Sequence, residues 1–344
     1  MAKFFDISKW QEKPHFQTRG TRNKSVFENP DTGELFYFKT SLKRKDDNYK
    51  YEFWSEILAS EIGKALGFDT LDYNIAYHIN EIGCLSKSMV DTNCGKLSEG
   101  VNYLRGYDPA YDPDNKESYP QYTFHFIEKA LDQYRLKDQM HHLVTTIIFD
   151  SLIGNGDRHQ ENWGFIIPNI QSKDERTEKV KNRFVEPRFL RSLLPIKSRG
   201  LSEKDIDAMM NSMRGVFAPI YDSGSSLGRE LIDEKVDIML KHNILIETYI
   251  NRDRCEIRWE GEKISHFDLL RHIKDETIYK KTVEEKKKEI SENFSNSDIP
   301  KIIENVDKDL PKEYFHHFFP ENRKELVEKF VSSRFERLMN VLNE

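Results

Sequence analysis

Cysteine is scarce: Cys84, Cys94 and Cys255 are the three in 344 residues, and no two of them form a CxxC pair. That number and spacing exclude a disulfide framework and a structural zinc site, so a reducing compartment is the expectation. An excess of positive charge is also lacking. With 53 Lys and Arg against 59 Asp and Glu, the formal net charge is -6, which argues against a general nucleic-acid binder, whose affinity rests on neutralising phosphates. There is no internal repeat, no low-complexity tract and no apolar run approaching the length of a membrane span. The N-terminal MAKFFDISKWQEK has no apolar h-region of the kind a signal peptide carries. These absences lead to the expectation of a soluble protein made in the cytoplasm, or one exported without a classical signal peptide.

What is present suffices for a sizeable core. Hydrophobic residues make up 37% and aromatics 12%, and the length allows one large domain or two lobes. KSVFENPDTGELFYFKTS reads as a β-hairpin, two aromatic and β-branched runs around the turn signal NPDTGE. In its second strand Phe36 and Phe38 share one face, with Tyr37 and Lys39 on the other. YEFWSEILASEIGKALGF then has helical spacing and stops at Gly67. LDYNIAYHI and GCLSKSMV complete a small sheet near Val90. A lobe boundary falls at about residue 91, before the polar, turn-like DTNCGKLSEG, dividing the chain into lobes of residues 1–91 and 92–344.

The second lobe reads as mainly helical. In LKDQMHHLVTTIIFDSL, Met140, Leu143, Val144, Ile147 and Ile148 fall on one stripe. A charged, irregular insertion occupies about residues 168–218, and amphipathic helices such as RKELVEKFVSSRFERLMNVLNE close the chain.

The helix ending in FDSL delivers the chain to IGNGDRHQENWGF. Gly154 and Gly156 permit backbone conformations closed to other residues, and Asp157, His159 and Asn162 can converge on one small volume. Unpartnered burial would cost each of them roughly 1 to 3 kcal/mol, so a local network or a ligand must satisfy them. A helix C-cap alone would also explain such a loop, but three other segments point to more. YDSGSS places Asp222 after an apolar run, so that Asn162 and Asp222 offer two hard oxygen ligands suited to Mg²⁺ with substrate phosphates. Lys39 is followed by a helix carrying Glu52 and Glu56, and a strand lysine paired with a helix glutamate is how kinase folds hold a phosphate-binding lysine. QTRGTRNKSVF sets a glycine among polar residues before the hairpin, where backbone N–H groups can face phosphate.

NGDRHQENWGF, PIYDSGSSLGRE and RGTRNKSVFENPDTGELFYFK together resemble the HipA-like Ser/Thr protein kinases, in a compact bacterial form. The DRHxxN and DxG elements are also similar to those of phosphoinositide 3- and 4-kinases. The resemblance is strong over residues 18–66 and 147–229 and weaker beyond. It implies an α+β, two-lobed kinase-like fold, with a small β-rich N-lobe and a larger, mainly helical C-lobe.

For the site, the resemblance implies Asp157 as the catalytic aspartate that orients and deprotonates the acceptor hydroxyl, with His159 ordering the loop or sharing the acid/base role. Asn162 and Asp222 would hold Mg²⁺, or Mn²⁺ in its place. Lys39 would contact the ATP phosphates, with Glu56 as its partner and Glu52, one turn earlier, left open. Gly20, Thr21 and Arg22 would cover the phosphates, and strand residues near Met89 would bond adenine.

The implied activity is ATP- and Mg²⁺-dependent transfer to Ser or Thr, including autophosphorylation, by a monomer whose partner is a protein substrate, with no nucleic acid and no stable membrane insertion. A bacterial effector role in host cells also follows from the resemblance alone. The chain is too short for the additional N-terminal subdomain of HipA itself, so a toxin role and an antitoxin partner do not transfer. The insertion lies where a substrate would approach and either shapes the acceptor site or decorates it. A lipid kinase and a nucleotide-binding pseudokinase are the alternatives. A metallophosphoesterase would need a GNH-type ligand segment, which the chain lacks.

Overall fold

The computed structural model describes residues 1–14, 24–42, 49–90, 95–168 and 215–344. Gly20, Thr21 and Arg22 therefore lie outside the described residues, as do residues 169–214 of the expected insertion. The hairpin forms from β3 (Lys24–Glu28) and β4 (Leu35–Thr40) around a turn in which Gly33 takes φ +72°. With β1 (Phe4–Asp6), β2 (Gln11–Glu12), β5 (Asn74–His78) and β6 (Glu81–Lys87) it makes a six-stranded sheet in the order β1-β5-β6-β4-β3-β2. The pairing is antiparallel except between β1 and β5.

Alternation along β4 gives the sheet two different faces. Phe38 joins Phe27, Ile7, Ala76 and Leu85 in a small core, with Phe36 and Trp10 packed against it. Tyr37 and Lys39, on the opposite face, line the cleft between the lobes. Helix α1 (Glu52–Ala65) is buried from Glu52 through Gly63. It carries three carboxylates into that environment, Glu52, Glu56 and Glu61, and buried charges of this kind need partners.

A second sheet, β7-β8-β9, consists of β7 (Gly95–Glu99), β8 (Gly164–Pro168) and β9 (Val216–Phe217). The helices of this lobe begin with α2 (Gly100–Tyr107), which packs on β7, and continue with α3 (Phe124–Gln133), α4 (Met140–Ile153), α5 (Asp233–Lys241) and α6 (Asn243–Arg252). Helices α7 (His266–Asp275), α8 (Thr277–Asn296), α9 (Ile299–Glu304) and α10 (Glu321–Asn343) complete the lobe.

Helix α4 departs from the single apolar stripe expected of it. Every residue from Thr146 to Ile153 is buried, because α4 is central and packs against α7, α8 and α10. Its buried hydroxyls are satisfied within the helix: Thr146 donates to the His142 carbonyl at 2.9 Å and Ser151 to the Ile148 carbonyl at 2.6 Å. One continuous core runs from α1 through α4 to α10. Among the described residues no helix is long and apolar enough to cross a membrane.

Candidate active site

Helix α4 ends at Gly154, whose φ of +69° suits glycine. A Cβ there would come within 2.6 Å of the Arg334 guanidinium. Gly156 serves a different purpose from the one expected of it. Its backbone is not left-handed, but a Cβ would lie 3.0 Å from the Arg254 carbonyl, a tight contact that favours glycine there. Between these turns Asn155 is fully buried, its side chain donating to Asp150 at 3.0 Å and accepting from the Asp157 N–H at 3.3 Å.

Arg158 is the anchor of the loop. Its guanidinium is buried and donates to both oxygens of Asp150 at 2.9 and 2.8 Å, to the carbonyls of Asn162 at 2.8 Å and Tyr221 at 2.5 Å, and to the Ser223 hydroxyl at 3.3 Å. These five bonds use all of its donors. Burial alone would lower its pKa, but the Asp150 carboxylate holds it above the ordinary arginine value. One side chain thus ties the end of α4, the polar loop and the Asp222 segment together.

The functional groups face a cleft of about 250 Å³ lined by Lys39, Met89, Asp157, His159, Asn162 and Asp222, among others. The Ser225 hydroxyl donates to Asp157 Oδ2 at 3.0 Å. The Asn162 amide donates to the Asp157 carbonyl at 2.8 Å. His159 Nδ1 accepts from the Glu161 N–H at 3.3 Å. A neutral imidazole accepting there carries its proton on Nε2, which makes the ring a donor rather than a base at that nitrogen.

Asp222 has a left-handed backbone, φ +53°, a conformation costing a non-glycine residue about 1 to 3 kcal/mol unless its surroundings over-determine it. They do so here. Its N–H donates to the Tyr73 hydroxyl at 3.3 Å, the preceding carbonyl accepts from Arg158, and the following N–H, of Ser223, donates to Glu56 Oε2 at 2.8 Å. Burial, and after it the Glu56 and Asp222 carboxylates, push the Tyr73 phenol well above the usual tyrosine value, so it remains neutral between two acids.

Lys39 bonds Glu56 Oε1 and reaches Asp222 Oδ1 at 2.6 Å. Glu56 is thus the helix glutamate beside the lysine. Glu52, one turn earlier, instead pairs with Arg229 and accepts from the Leu42 N–H at 3.1 Å. Gly224 packs on Glu56, and a Cβ there would lie 2.9 Å from its Oε1. Gly224→Ala is therefore expected to push Glu56 off Lys39. Steady-state kinetics should record a loss of up to roughly 10²-fold, as for a misplacement of about 1 Å, and the melting temperature should fall because buried Glu56 loses its ion pair.

Nothing in the local spacing singled out Arg158, Asp150, Tyr73 or Arg229, and Ser225, expected to be a turn former, proves to be a partner of Asp157. Arg158 stood inside the recognised loop, and its buried partner Asp150 stood in the apolar run before it. A charged residue in such a run is the signal that was there to find.

The small β-rich lobe, the larger helical lobe and the cleft between them form a two-lobed, kinase-like fold. Across 99% of this chain and 98% of the other, it is similar to the Helicobacter pylori proinflammatory kinase CtkA, with TM-score 0.68 and 18% identity. At that identity the likeness is one of fold. HipA of Shewanella oneidensis MR-1, solved with HipB and its operator DNA, is matched with TM-score 0.49 and 12% identity over 96% of this chain and 66% of that one. No family model matches the sequence, and a comparison with curated proteins returns no match.

Proposed function

We propose that the cleft binds ATP with Mg²⁺ and transfers the γ-phosphate to Ser or Thr hydroxyls of proteins, its own chain among them. The observation that carries this reading is Lys39, held by Glu56 and Asp222 in the cleft that Asp157 and Asn162 also face. Phosphoryl transfer asks little covalent chemistry of a protein and depends on positioning and on neutralising phosphate charge. Lys39 supplies a positive charge fixed by a buried carboxylate. Asp157 accepts the proton of the acceptor hydroxyl, while the bond from Ser225 to Oδ2 sets the rotation of the carboxylate and leaves Oδ1 toward the acceptor. His159, as a donor at Nε2, suits a phosphate oxygen better than it suits the role of base.

The donor set fits magnesium. Asp222 and the Asn162 amide oxygen are hard oxygen ligands of the kind magnesium takes. A cation with so few protein ligands keeps water and takes substrate phosphates, which is magnesium's habit. When bound, it would neutralise charge on the phosphate oxygens. Mn²⁺ would serve in its place, Met89 at the cleft edge would approach the adenine, and a monomer suffices.

The acceptor class is tested by offering the protein, with ATP and Mg²⁺, a mixed protein substrate and inositol-lipid vesicles. Phosphoserine or phosphothreonine in the protein fraction is the expected product, absent with Asp222→Ala. Phosphate on the lipid headgroup alone would convert the reading to a lipid kinase. An effector role in host cells rests on likeness to the fold of CtkA. Comparing host phosphoproteomes after delivery of wild type or Asp157→Ala tests it, and identical profiles would exclude it.

A further inference from the structure

We propose that His266 is a positioning residue for the catalytic base: with Asp253 and Arg334 it fixes the backbone that presents Asp157, and so governs kcat rather than nucleotide binding. The proposal rests on the kinase reading above. The three residues come from separate parts of the chain and meet beneath the turn that leaves α4. Arg334 lies in α10, Asp253 directly follows α6, and His266 opens α7. Ser265 caps α7 by accepting from the Asp268 N–H at 3.1 Å, a bond that fixes the first turn and with it the place of His266.

His266 is buried, and its Nε2 lies 2.9 Å from the Asn155 carbonyl oxygen. That oxygen can only accept, so the ring carries a proton at Nε2. Nδ1 lies 3.0 Å from Asp253 Oδ2, within ion-pair range but not aligned as a hydrogen bond. Arg334 donates to the same Oδ2 at 2.9 Å and to the Ser151 carbonyl at 3.1 Å. Burial would raise the Asp253 pKa, but His266 and Arg334 hold it well below the ordinary carboxylate range. The carboxylate therefore stays charged between them.

Asn155 is the link to the base. Its carbonyl receives His266, and its side-chain oxygen receives the Asp157 N–H at 3.3 Å. The loop is thus held from two sides, by Arg158 with Asp150 on one and by His266 on the other. Apolar side chains of the same volume often stabilise a core as well as a buried ion cluster does, but they cannot hold a carbonyl in one place by a hydrogen bond. A base must stand within hydrogen-bond reach of the hydroxyl it serves, and a displacement of about 1 Å can cost roughly 10²-fold in rate. Asp157 lies two positions beyond the carbonyl that His266 holds.

The test compares His266→Gln with His266→Asn. A glutamine amide reaches about as far as Nε2 and still donates to the Asn155 carbonyl, whereas an asparagine amide reaches only as far as Nδ1, on the side of Asp253. With ATP, Mg²⁺ and a protein acceptor, the Asn variant should lose roughly 10- to 10²-fold in kcat with KM for ATP unchanged, and the Gln variant should retain most of kcat. In an Asp157→Asn background His266→Asn should cost almost nothing more, because a residue acting through Asp157 is not additive with its removal. Hydrogen exchange of the wild type gives a check that depends on no variant folding: the Asn155 and Asp157 N–H groups should exchange as slowly as those in the core of α4. Equal kcat for the two variants, the same fold loss in both backgrounds, or exchange of these two groups as fast as in an exposed loop would overturn the role of His266 while leaving the kinase reading intact. Wild type that transfers no γ-phosphate would overturn both.

Discussion

Replacing Arg158 with Met is expected to destabilise the protein by about 3 to 5 kcal/mol, the usual consequence of removing one partner of a buried ion pair. Met fills much of the volume, so the loss is electrostatic. Asp150 is left charged, with the carbonyls of Asn162 and Tyr221 and the Ser223 hydroxyl also deprived of a donor. Denaturant titration of the two proteins measures it. Asp150 and Arg158 replaced together, by Leu and Met, should recover part of that loss, since no charge then remains unpaired in the core. A single-mutant loss below about 1 kcal/mol, the range of exposed ion pairs, would contradict the assignment of Arg158 as the anchor.

Asp157→Asn is expected to lower kcat by roughly 10²- to 10⁴-fold, the range that a positioned general base contributes. The substitution keeps the shape of the side chain and a partner for Ser225. Its backbone carbonyl still receives the Asn162 amide. Melting temperature and nucleotide affinity should therefore stay near those of wild type. A His159→Ala variant separates the two candidate bases. With Nδ1 occupied by the Glu161 N–H, its loss should cost less than that of Asp157. The reverse order would move the base to the histidine.

The parts of the site that could be read from the sequence were those carried by short spacing. DxHxxN within six positions, DxG, and a lysine ending an aromatic strand each show their chemistry locally. Alternation along β4 also placed Tyr37 and Lys39 opposite Phe36 and Phe38 without reference to the rest of the chain. The choice between Glu52 and Glu56 was not legible, because both lie on one helix face one turn apart. What separates them is tertiary: Ser223 and Gly224 press on Glu56, while Arg229 claims Glu52.

Long-range polar order was equally hidden. Tyr73 lies 149 positions from the Asp222 N–H it receives, and nothing in YNIAYH marks it. For α4 the apolar residues suggested a stripe, but over Thr146–Ile153 the helix is buried on every side, and its Thr and Ser there bond their own helix. At Gly156 a backbone conformation was expected where the real constraint is the neighbouring Arg254 carbonyl.

The central claim, that this cleft is a site of phosphoryl transfer, is tested most directly by supplying the purified protein and Mg²⁺ with ATP labelled at the γ- or the α-phosphate, together with a protein acceptor. Transfer of the γ label alone to Ser or Thr, lost with Asp157→Asn, is the predicted result. Saturable ATP binding with no γ label transferred to the protein itself or to any acceptor would contradict it.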